Sequence, residues 1–375
     1  MQTTKIKRGL GSAVKRWWPV LLLAVSFGLS ILAKNNPELT DAIYSQKIYP
    51  VLAAIFGGIS SFFPFSLAEL AVCALLLGVL VLITFGIIRL LKGKRPSGIS
   101  GFWRLLERVV KLVCILFSAF LLLCGMNYYR LEFSQLNGLD VHPSPKEELI
   151  ALCEELVRNA GELRAGLTMD EYGVTSLSKG AWETAGDART AVAALSEEYP
   201  TIKELPITPK PVIFSRMMSL MQITGVFVPF IYEANVNIDA PDYSVPATMC
   251  HELAHTRGFM REDEANFIAY LACQNAENQE FQYSGAMLAL VHCINRLYSV
   301  DREEASRIMA GCSDGIKLDM AASSLYWDQF EGPVAQVSTA VNNIYLKANN
   351  QADGVQSYGR MVDLLLADRR QRQKK

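Results

Sequence analysis

The chain has 375 residues, of which 51% are hydrophobic, and its mean hydropathy is +0.19. This value is high for a soluble protein, and the apolar residues are concentrated in the first third, so we expect a membrane part followed by a soluble part. The formal net charge of −1 provides no basic surface of the kind that nucleic-acid binding requires, so no nucleic-acid partner is expected.

Three stretches of the first third are predicted to span a membrane: residues 17–33, 67–91 and 109–129. The first is uncharged, follows a basic N-terminal segment, and begins with Trp17 and Trp18, an aromatic pair typical of a membrane interface. Because the residues at its end make a poor cleavage site, we interpret it as a retained helix rather than a signal peptide. The lipid bilayer is therefore an expected partner.

The distribution of basic residues predicts the topology. The segment between the second and third spans is basic: it contains Lys92, Lys94, Arg95, Arg104 and Arg108. By the positive-inside rule this segment and the N-terminus are both cytoplasmic. They can lie on the same side only if an even number of spans separates them. Since residues 67–91 form one span, one span, not two, precedes residue 67. We therefore interpret residues 48–65, which are apolar but interrupted by proline and glycine, as a re-entrant or interfacial segment on the outer side, with a fourth span as the alternative. The chain after Tyr129 is then expected outside the cytoplasmic membrane.

The outer part is predicted to be one α+β, mostly helical domain. A polar, turn-rich linker is expected over residues 130–145, the domain over 146–369 and a disordered tail over 370–375. The predicted elements are, in chain order, helices over about 146–163 and 177–198, strands over 211–214 and 225–238, helices that begin near 246 and 262, and helices over about 280–298, 301–310, 318–330, 334–348 and 358–369. The 8 cysteines contain no CxxC pair, and an odd number lies in the domain, so we expect buried free thiols, with one disulfide as the alternative.

The most informative stretch is the helix that begins near residue 246, which contains His251, Glu252 and His255 in an HExxH pattern. Residues four apart share one face of a helix, so both imidazoles can reach one metal ion. Glu252 can take the proton of a water that the metal activates, which would make it the general base of a hydrolase. The chain has only 4 histidines, and the other two, His142 and His292, are interpreted as structural.

The segment after the HExxH helix can supply a further ligand, because a catalytic zinc is held by three protein ligands. Gly258 can adopt a positive φ and end the helix, and the next helix opens with several carboxylates. Glu262 is the expected third ligand, with Glu264 as the alternative. Cys250 adjoins His251 but points in another direction on a helix, so we expect it in the core.

These residues resemble the zincin metallopeptidases. The pair Glu262 and Asn266 is similar to the gluzincin Glu-x-x-x-Asp segment, which implies that Glu262 binds zinc and that Asn266 orients a ligand histidine. The turn at Gly258 is also similar to the metzincin pattern HExxHxxGxxH, but Arg261 stands where that pattern has its last histidine. The chain matches neither subclass completely, and the gap from His255 to Glu262 is short for a gluzincin. More loosely, the layout resembles bacterial membrane-anchored HExxH proteins of unassigned function.

The resemblance implies a zincin-like fold, a Zn2+ cofactor and a peptide or protein substrate. In zincins the strand before the metal helix is usually an exposed edge that pairs with extended substrate; residues 225–238 are the candidate, with an ordinary core strand as the alternative. A zinc hydrolase also benefits from a donor that stabilises the oxyanion. Tyr358 is the first candidate and Tyr326 the second, although either could be an ordinary packed or surface tyrosine.

These observations together predict a membrane-anchored zinc metallopeptidase with its catalytic domain outside the cytoplasmic membrane. The alternative is a non-catalytic envelope protein that uses the same fold for binding or assembly. The intact Glu252 favours the enzyme, because a structural metal site does not need a carboxylate beside its ligands.

Overall fold

The computed structural model describes residues 2–92, 99–349 and 360–374. It is 74% helix, which confirms the mostly helical class. The helices are α1 (Gln2–Asn35), α2 (Pro37–Leu39), α3 (Tyr49–Ser61), α4 (Leu67–Leu91), α5 (Ile99–Leu123), α6 (Phe133–Asn137), α7 (Lys146–Arg164), α8 (Ala181–Glu198), α9 (Ser215–Leu220), α10 (Val245–Thr256), α11 (Glu262–Asn275), α12 (Gln279–Val300), α13 (Arg302–Ala310), α14 (Asp314–Asp328), α15 (Pro333–Ala348) and α16 (Met361–Gln373). The strands are β1 (Lys210–Val212), β2 (Gly225–Val228) and β3 (Glu233–Asn237), and there are also a π-helix (Thr40–Ile48) and short 3-10 helices (Gly125–Tyr129, Asp242–Ser244).

Two helices in the described part of the chain are long and apolar enough to cross a membrane: Arg16–Asn35 within α1 and Leu67–Arg89 within α4. They coincide with the first two predicted spans. The third predicted span, 109–129, differs from the structure, because α5 begins earlier, ends at Leu123 and is followed by a 3-10 helix. The first half of α5 is charged: it contains Arg104, Glu107, Arg108 and Lys111.

Helices α1 and α5 pack side by side in parallel. Near one end, the guanidinium of Arg16 donates to the carboxylate of Glu107 at 3.0 Å, and the ammonium of Lys111 donates to the same carboxylate at 2.6 Å. Just beyond the other end of α1, the hydroxyl of Tyr44 donates to the carbonyl of Leu122 at 2.9 Å. The two helices therefore end at the same level.

The first turn of α4 is fixed to the sheet. A helix start leaves backbone N–H groups without helical partners. The buried carboxylate of Glu233 in β3 accepts from the N–H groups of Leu67 and Ala68 at 3.1 and 2.9 Å. The hydroxyl of Ser66 accepts from the N–H of Glu69 at 2.9 Å, so the residue before the helix also caps it. By contrast, none of the apolar window of α4 is buried.

The sheet has the strand order β1-β3-β2, with β3 parallel to β1 and antiparallel to β2. The single strand predicted over 225–238 is instead a hairpin. The chain reverses between Val228 and Glu233, and Tyr232 in this turn has a φ of 52°. Within the described residues, β2 is consequently an edge strand.

The core includes residues of the predicted linker. Phe133, expected within the linker 130–145, is fully buried, and its ring lies 5.5 to 5.7 Å from three other aromatic rings. These rings belong to Tyr199, Phe259 and Phe267. The region packs because a few apolar residues in a polar stretch find partners that are distant in sequence.

The predicted interfacial segment, 48–65, is largely the helix α3, which packs one face against the domain. Tyr49 and Ala53 on this face are fully buried. The opposite face is apolar and exposed, with Val51, Ile55, Ile59 and Phe62. The segment therefore lies along the domain with an apolar outer surface.

Two further expectations have different outcomes. All the cysteines are free, and all except Cys73 are buried, which agrees with the expected free thiols. The tail predicted to be disordered over 370–375 is helical as far as Gln373, because Arg370 pairs with Glu148 at 2.9 Å and holds the last turns of α16.

Replacing Phe133 with alanine should lower the free energy of unfolding by about 3–5 kcal/mol, the usual cost of removing a buried phenylalanine ring. Thermal unfolding of the purified full-length protein in detergent measures the effect as a lower melting temperature. Tyr172→Ala is the control, because Tyr172 is 75% exposed, and it should leave the melting temperature nearly unchanged. Equal melting temperatures for Phe133→Ala and wild type would mean that this segment does not contribute to the core.

Candidate metal centre

Helix α10 places both motif histidines on one face. Pro246 lies in its first turn, where its missing N–H has no helical partner to lose. Gly258, with a φ of 84°, forms the turn that follows the helix. The ring centroids of His251 and His255 are 4.7 Å apart, so one ion could contact both imidazoles.

Glu262, the first residue of α11, faces the two histidines. Its Oε2 lies 3.2 Å from Nε2 of His251, and its Oε1 lies 3.7 Å from Nε2 of His255. One ligand atom from each of the three residues lies within 4.8 Å of the others, so the cluster could hold a metal ion. The structure thus brings together the three predicted ligands.

Glu264, the alternative third ligand, is directed elsewhere. Its carboxylate accepts from the backbone N–H of Phe133 at 2.7 Å and lies 3.9 Å from the guanidinium of Arg261. Residues two apart on a helix point to different faces, so Glu264 cannot join the histidines while Glu262 faces them.

Both imidazoles are oriented through their Nδ1 atoms. Nδ1 of His251 lies 2.7 Å from the side-chain oxygen of Asn266, and Nδ1 of His255 lies 2.7 Å from the carbonyl oxygen of Phe259. Because both partners are hydrogen-bond acceptors, a neutral imidazole at either position would carry its proton on Nδ1 and offer the lone pair of Nε2 to a metal. The predicted place of Asn266 agrees with this geometry.

The carboxylate of Glu252 is buried beside the cluster. Its Oε2 has no hydrogen-bond partner among the described residues. The other side of the carboxylate packs against Gly225 in β2, where an added Cβ would lie 2.4 Å from Oε1. Burial raises the pKa of Glu252 to about 8, and the nearby charge of Glu262 acts in the same direction.

The charges of the protein groups favour one positive charge in this cluster. Burial opposes protonation of His251, but the hydrogen bond and charge of Glu262 outweigh it and raise the pKa of His251 to about 9. Burial lowers the pKa of His255 to about 4. Without a bound ion, Glu262 is therefore the counter-charge of a protonated His251, and a metal cation would have to displace that proton.

The tyrosine predictions have separate outcomes. Tyr358 lies outside the described residues. The hydroxyl of Tyr326 is hydrogen-bonded to Asp239 and Ser219, not to the cluster. A different pair lies closer: the hydroxyls of Tyr128 and Tyr345 are 2.8 Å apart, and the pKa of Tyr345 is raised by burial and, to a lesser degree, by the charge of Glu262.

Three residues of the site were not predicted from the sequence. Phe259 contributes a carbonyl oxygen, which any residue type could supply. Gly225 leaves room for Glu252, and its role depends on β2 lying against α10. Tyr49 donates its hydroxyl to the carbonyl of His255 at 3.1 Å from more than two hundred residues earlier in the chain. Only Gly225 gives any signal in the sequence, as a glycine at the start of a strand.

A family model described as a protein of unknown function (DUF3810) matches residues 44–366. The chain belongs to the DUF3810 family. No curated protein and no solved structure matches the chain. The region shared with DUF3810 includes α3, α4 and α5 as well as the metal cluster, so the family unit contains these N-terminal helices together with the site.

Metal binding should depend on Glu262 and not on Glu264. In Glu262→Gln the metal affinity should fall by about tenfold or more, because even the outer hydrogen-bond partners of metal ligands account for 10–100-fold. Glu264→Gln should keep the metal, since glutamine can still accept from Phe133. Zinc content per chain of the full-length protein, measured by mass spectrometry after dialysis against a buffered low zinc concentration, tests both variants beside His255→Ala. If Glu262→Gln retained zinc and Glu264→Gln lost it, the third ligand would be Glu264 and not Glu262.

Proposed function

We propose that this protein is a membrane-anchored zinc metallopeptidase that hydrolyses peptide bonds outside the cytoplasmic membrane. The observation that carries the proposal is the convergence of His251, His255 and Glu262 beside the buried carboxylate of Glu252. A purely structural metal site does not need an additional carboxylate beside its ligands, whereas a hydrolytic site does.

The chemistry of the donors supports zinc. Two imidazole nitrogens and one carboxylate oxygen are a ligand set of catalytic zinc sites, which leave a further position for water or substrate. His251 and His255 offer their Nε2 atoms because their Nδ1 atoms are already engaged. Zinc, when bound, would act as a Lewis acid that polarises the scissile carbonyl and lowers the pKa of water.

Glu252 is assigned as the general base. It accepts a proton from the attacking water and passes this proton to the amine of the leaving peptide. Burial raises the pKa of the Glu252 carboxyl, which strengthens it as a proton acceptor. Gly225 supports this role because it leaves space for the carboxylate of Glu252. Any larger side chain at position 225 would occupy that space.

The edge strand β2 supports a peptide or protein substrate. An extended peptide can add to such an edge through backbone hydrogen bonds, while pockets select its side chains. The ring of Phe227 in β2 lies 6.5 Å from the ring of His255 between centroids. A peptide paired along β2 would therefore pass next to the metal cluster.

The membrane arrangement is proposed to have three spans, namely α1, α4 and the stretch 109–129, which joins the apolar half of α5 to the 3-10 helix after it, with the N-terminus in the cytoplasm. The start of α4 is bonded to the sheet, so the far end of α4 points away from the domain. Basic residues lie at that far end and at the start of α5, namely Arg89, Lys92, Arg104 and Arg108. The positive-inside rule assigns these residues to the cytoplasmic side and the domain to the opposite side.

Glu252→Gln should lower the cleavage rate by about 10²–10⁴-fold, the usual contribution of a general base, while zinc content stays unchanged. The measurement uses the reconstituted full-length protein, a proteome-derived peptide library and mass-spectrometric detection of new N-termini. Glu171→Gln is the matched control, because Glu171 is exposed and is not a member of the cluster, and it should cleave like wild type.

The same experiment distinguishes the two functional hypotheses. Undiminished cleavage by Glu252→Gln would contradict the general-base assignment. Zinc bound by the wild type without any cleavage would favour a non-catalytic envelope protein that serves in binding or assembly.

Reporter fusions test on which side of the membrane the domain and the segment after α4 lie. Alkaline phosphatase, which is active only outside the cytoplasm, should be active when fused after Lys374 and inactive when fused after Lys92. A green fluorescent protein at the same positions should give the opposite pattern. Active phosphatase after Lys92 would contradict the three-span arrangement.

A further inference from the structure

Helix α15 exposes an apolar stripe. Val334, Val337, Val341 and Ile344 are spaced three or four residues apart and share one face of the helix. These four side chains are between 58% and 68% exposed. The helix is attached to the protein through other residues, of which Ala335 and Leu346 are buried.

The stripe lies at the end of the membrane-proximal helix bundle. The ring of Tyr345 is 6.3 Å from the ring of Phe120, which stacks on Phe117 one turn earlier in α5. The hydroxyl of Tyr345 also bonds to that of Tyr128, just after α5. The C-terminal part of α15 is therefore beside the last turns of α5, at the level where α1 also ends.

We propose that α15 is an interfacial helix that inserts its apolar stripe into the outer surface of the lipid bilayer. Its composition fits a lipid partner better than a charged one, because Lys347 near the C-terminal end is its only charged residue. Tyr345 adds an amphipathic ring of the kind that is enriched at membrane interfaces. A helix with one apolar and one polar face lies in the plane of the interface with the apolar face among the acyl chains.

The continuity of the apolar surface favours the bilayer over a second copy of the chain. Phe117, on the membrane helix α5, is itself 47% exposed and leads by ring contacts to α15. On α3, the exposed stripe that includes Val51 and Ile55 is tied to the same end of α5, because the ring of Tyr44 contacts Tyr49 and its hydroxyl bonds to Leu122. Two apolar stripes at the end of one membrane bundle are arranged as expected for a domain that rests on the bilayer.

This inference depends on the proposed membrane anchoring but not on the proposed hydrolysis. Spin labelling of the full-length protein in phospholipid vesicles tests both the membrane anchoring and the insertion of the α15 stripe. A nitroxide is attached to Val341→Cys in a Cys73→Ser background, where the other native cysteines are buried. Its collision rates with oxygen, which concentrates in lipid, and with a water-soluble nickel chelate are then measured.

Two labelled positions serve as controls. Gln336→Cys, in the same background, is exposed but lies outside the stripe and should collide with the nickel chelate. Native Cys73, exposed in the second turn of α4 and within its apolar window, should collide with oxygen and not with nickel. If the label at Cys73 collided with the nickel chelate, α4 would lie in water, and the proposed membrane anchoring would be contradicted.

The label at Val341 should show an oxygen-to-nickel accessibility ratio several-fold higher than the label at Gln336. Free access of the nickel chelate to Val341 would overturn the proposal, because the stripe would face water. Low access of both reagents would also overturn it, because the stripe would then be covered by protein, as in a complex with a second copy of the chain.

Discussion

A buried cation, Arg130, supports the turn that follows α10, the helix of the two candidate histidine ligands. The guanidinium of Arg130 donates to the carbonyl of Gly258 at 3.3 Å and lies 4.1 Å above the ring of Phe259. Its charge is balanced by Asp41 in the π-helix at 2.9 Å, which matters because an unpaired buried charge is strongly destabilising. The carbonyl of Phe259 in turn fixes the imidazole of His255. The orientation of a candidate metal ligand thus depends on residues from the N-terminal part of the chain, which carries the two apolar helices.

The candidate site and the segments before it that contain Asp41, Tyr49 and Asn127 are consequently one folding unit. Tyr49 reaches the carbonyl of His255, and Gly258 is so closely packed that an added Cβ would lie 3.0 Å from Asn127. A fragment that began at Arg130 would lose Asp41 and Tyr49 together. The extent of the DUF3810 match, which begins within the π-helix, agrees with this unit.

The parts of the structure that follow from local patterns could be predicted, and those that depend on distant partners could not. Helical periodicity was sufficient to place His251 and His255 on one face, and most helices were found with approximate bounds. The β2–β3 hairpin was missed because its turn is apolar and includes Tyr232 at a positive φ, where turn signals would favour glycine. The burial of Phe133 was missed because its neighbours in sequence are polar and its partners come from later helices. The choice of Glu262 over Glu264 needed the rotational position of α11, which the sequence leaves open.

The attachment of α4 to β3 has a mechanical consequence. In the proposed three-span arrangement, the uncharged run of α4 over residues 70–88 is ~28 Å long at the usual rise per residue, which matches a hydrocarbon core about 30 Å thick. A helix that exceeds the local thickness tilts, and the degree of tilt changes with that thickness. Because the first turn of α4 is bonded to Glu233, a tilt of α4 in a thinner bilayer would act on β3, the strand that pairs with β2 beside Glu252. Under the proposed anchoring, bilayer thickness would therefore be a mechanical input to the position of β2 beside the metal cluster.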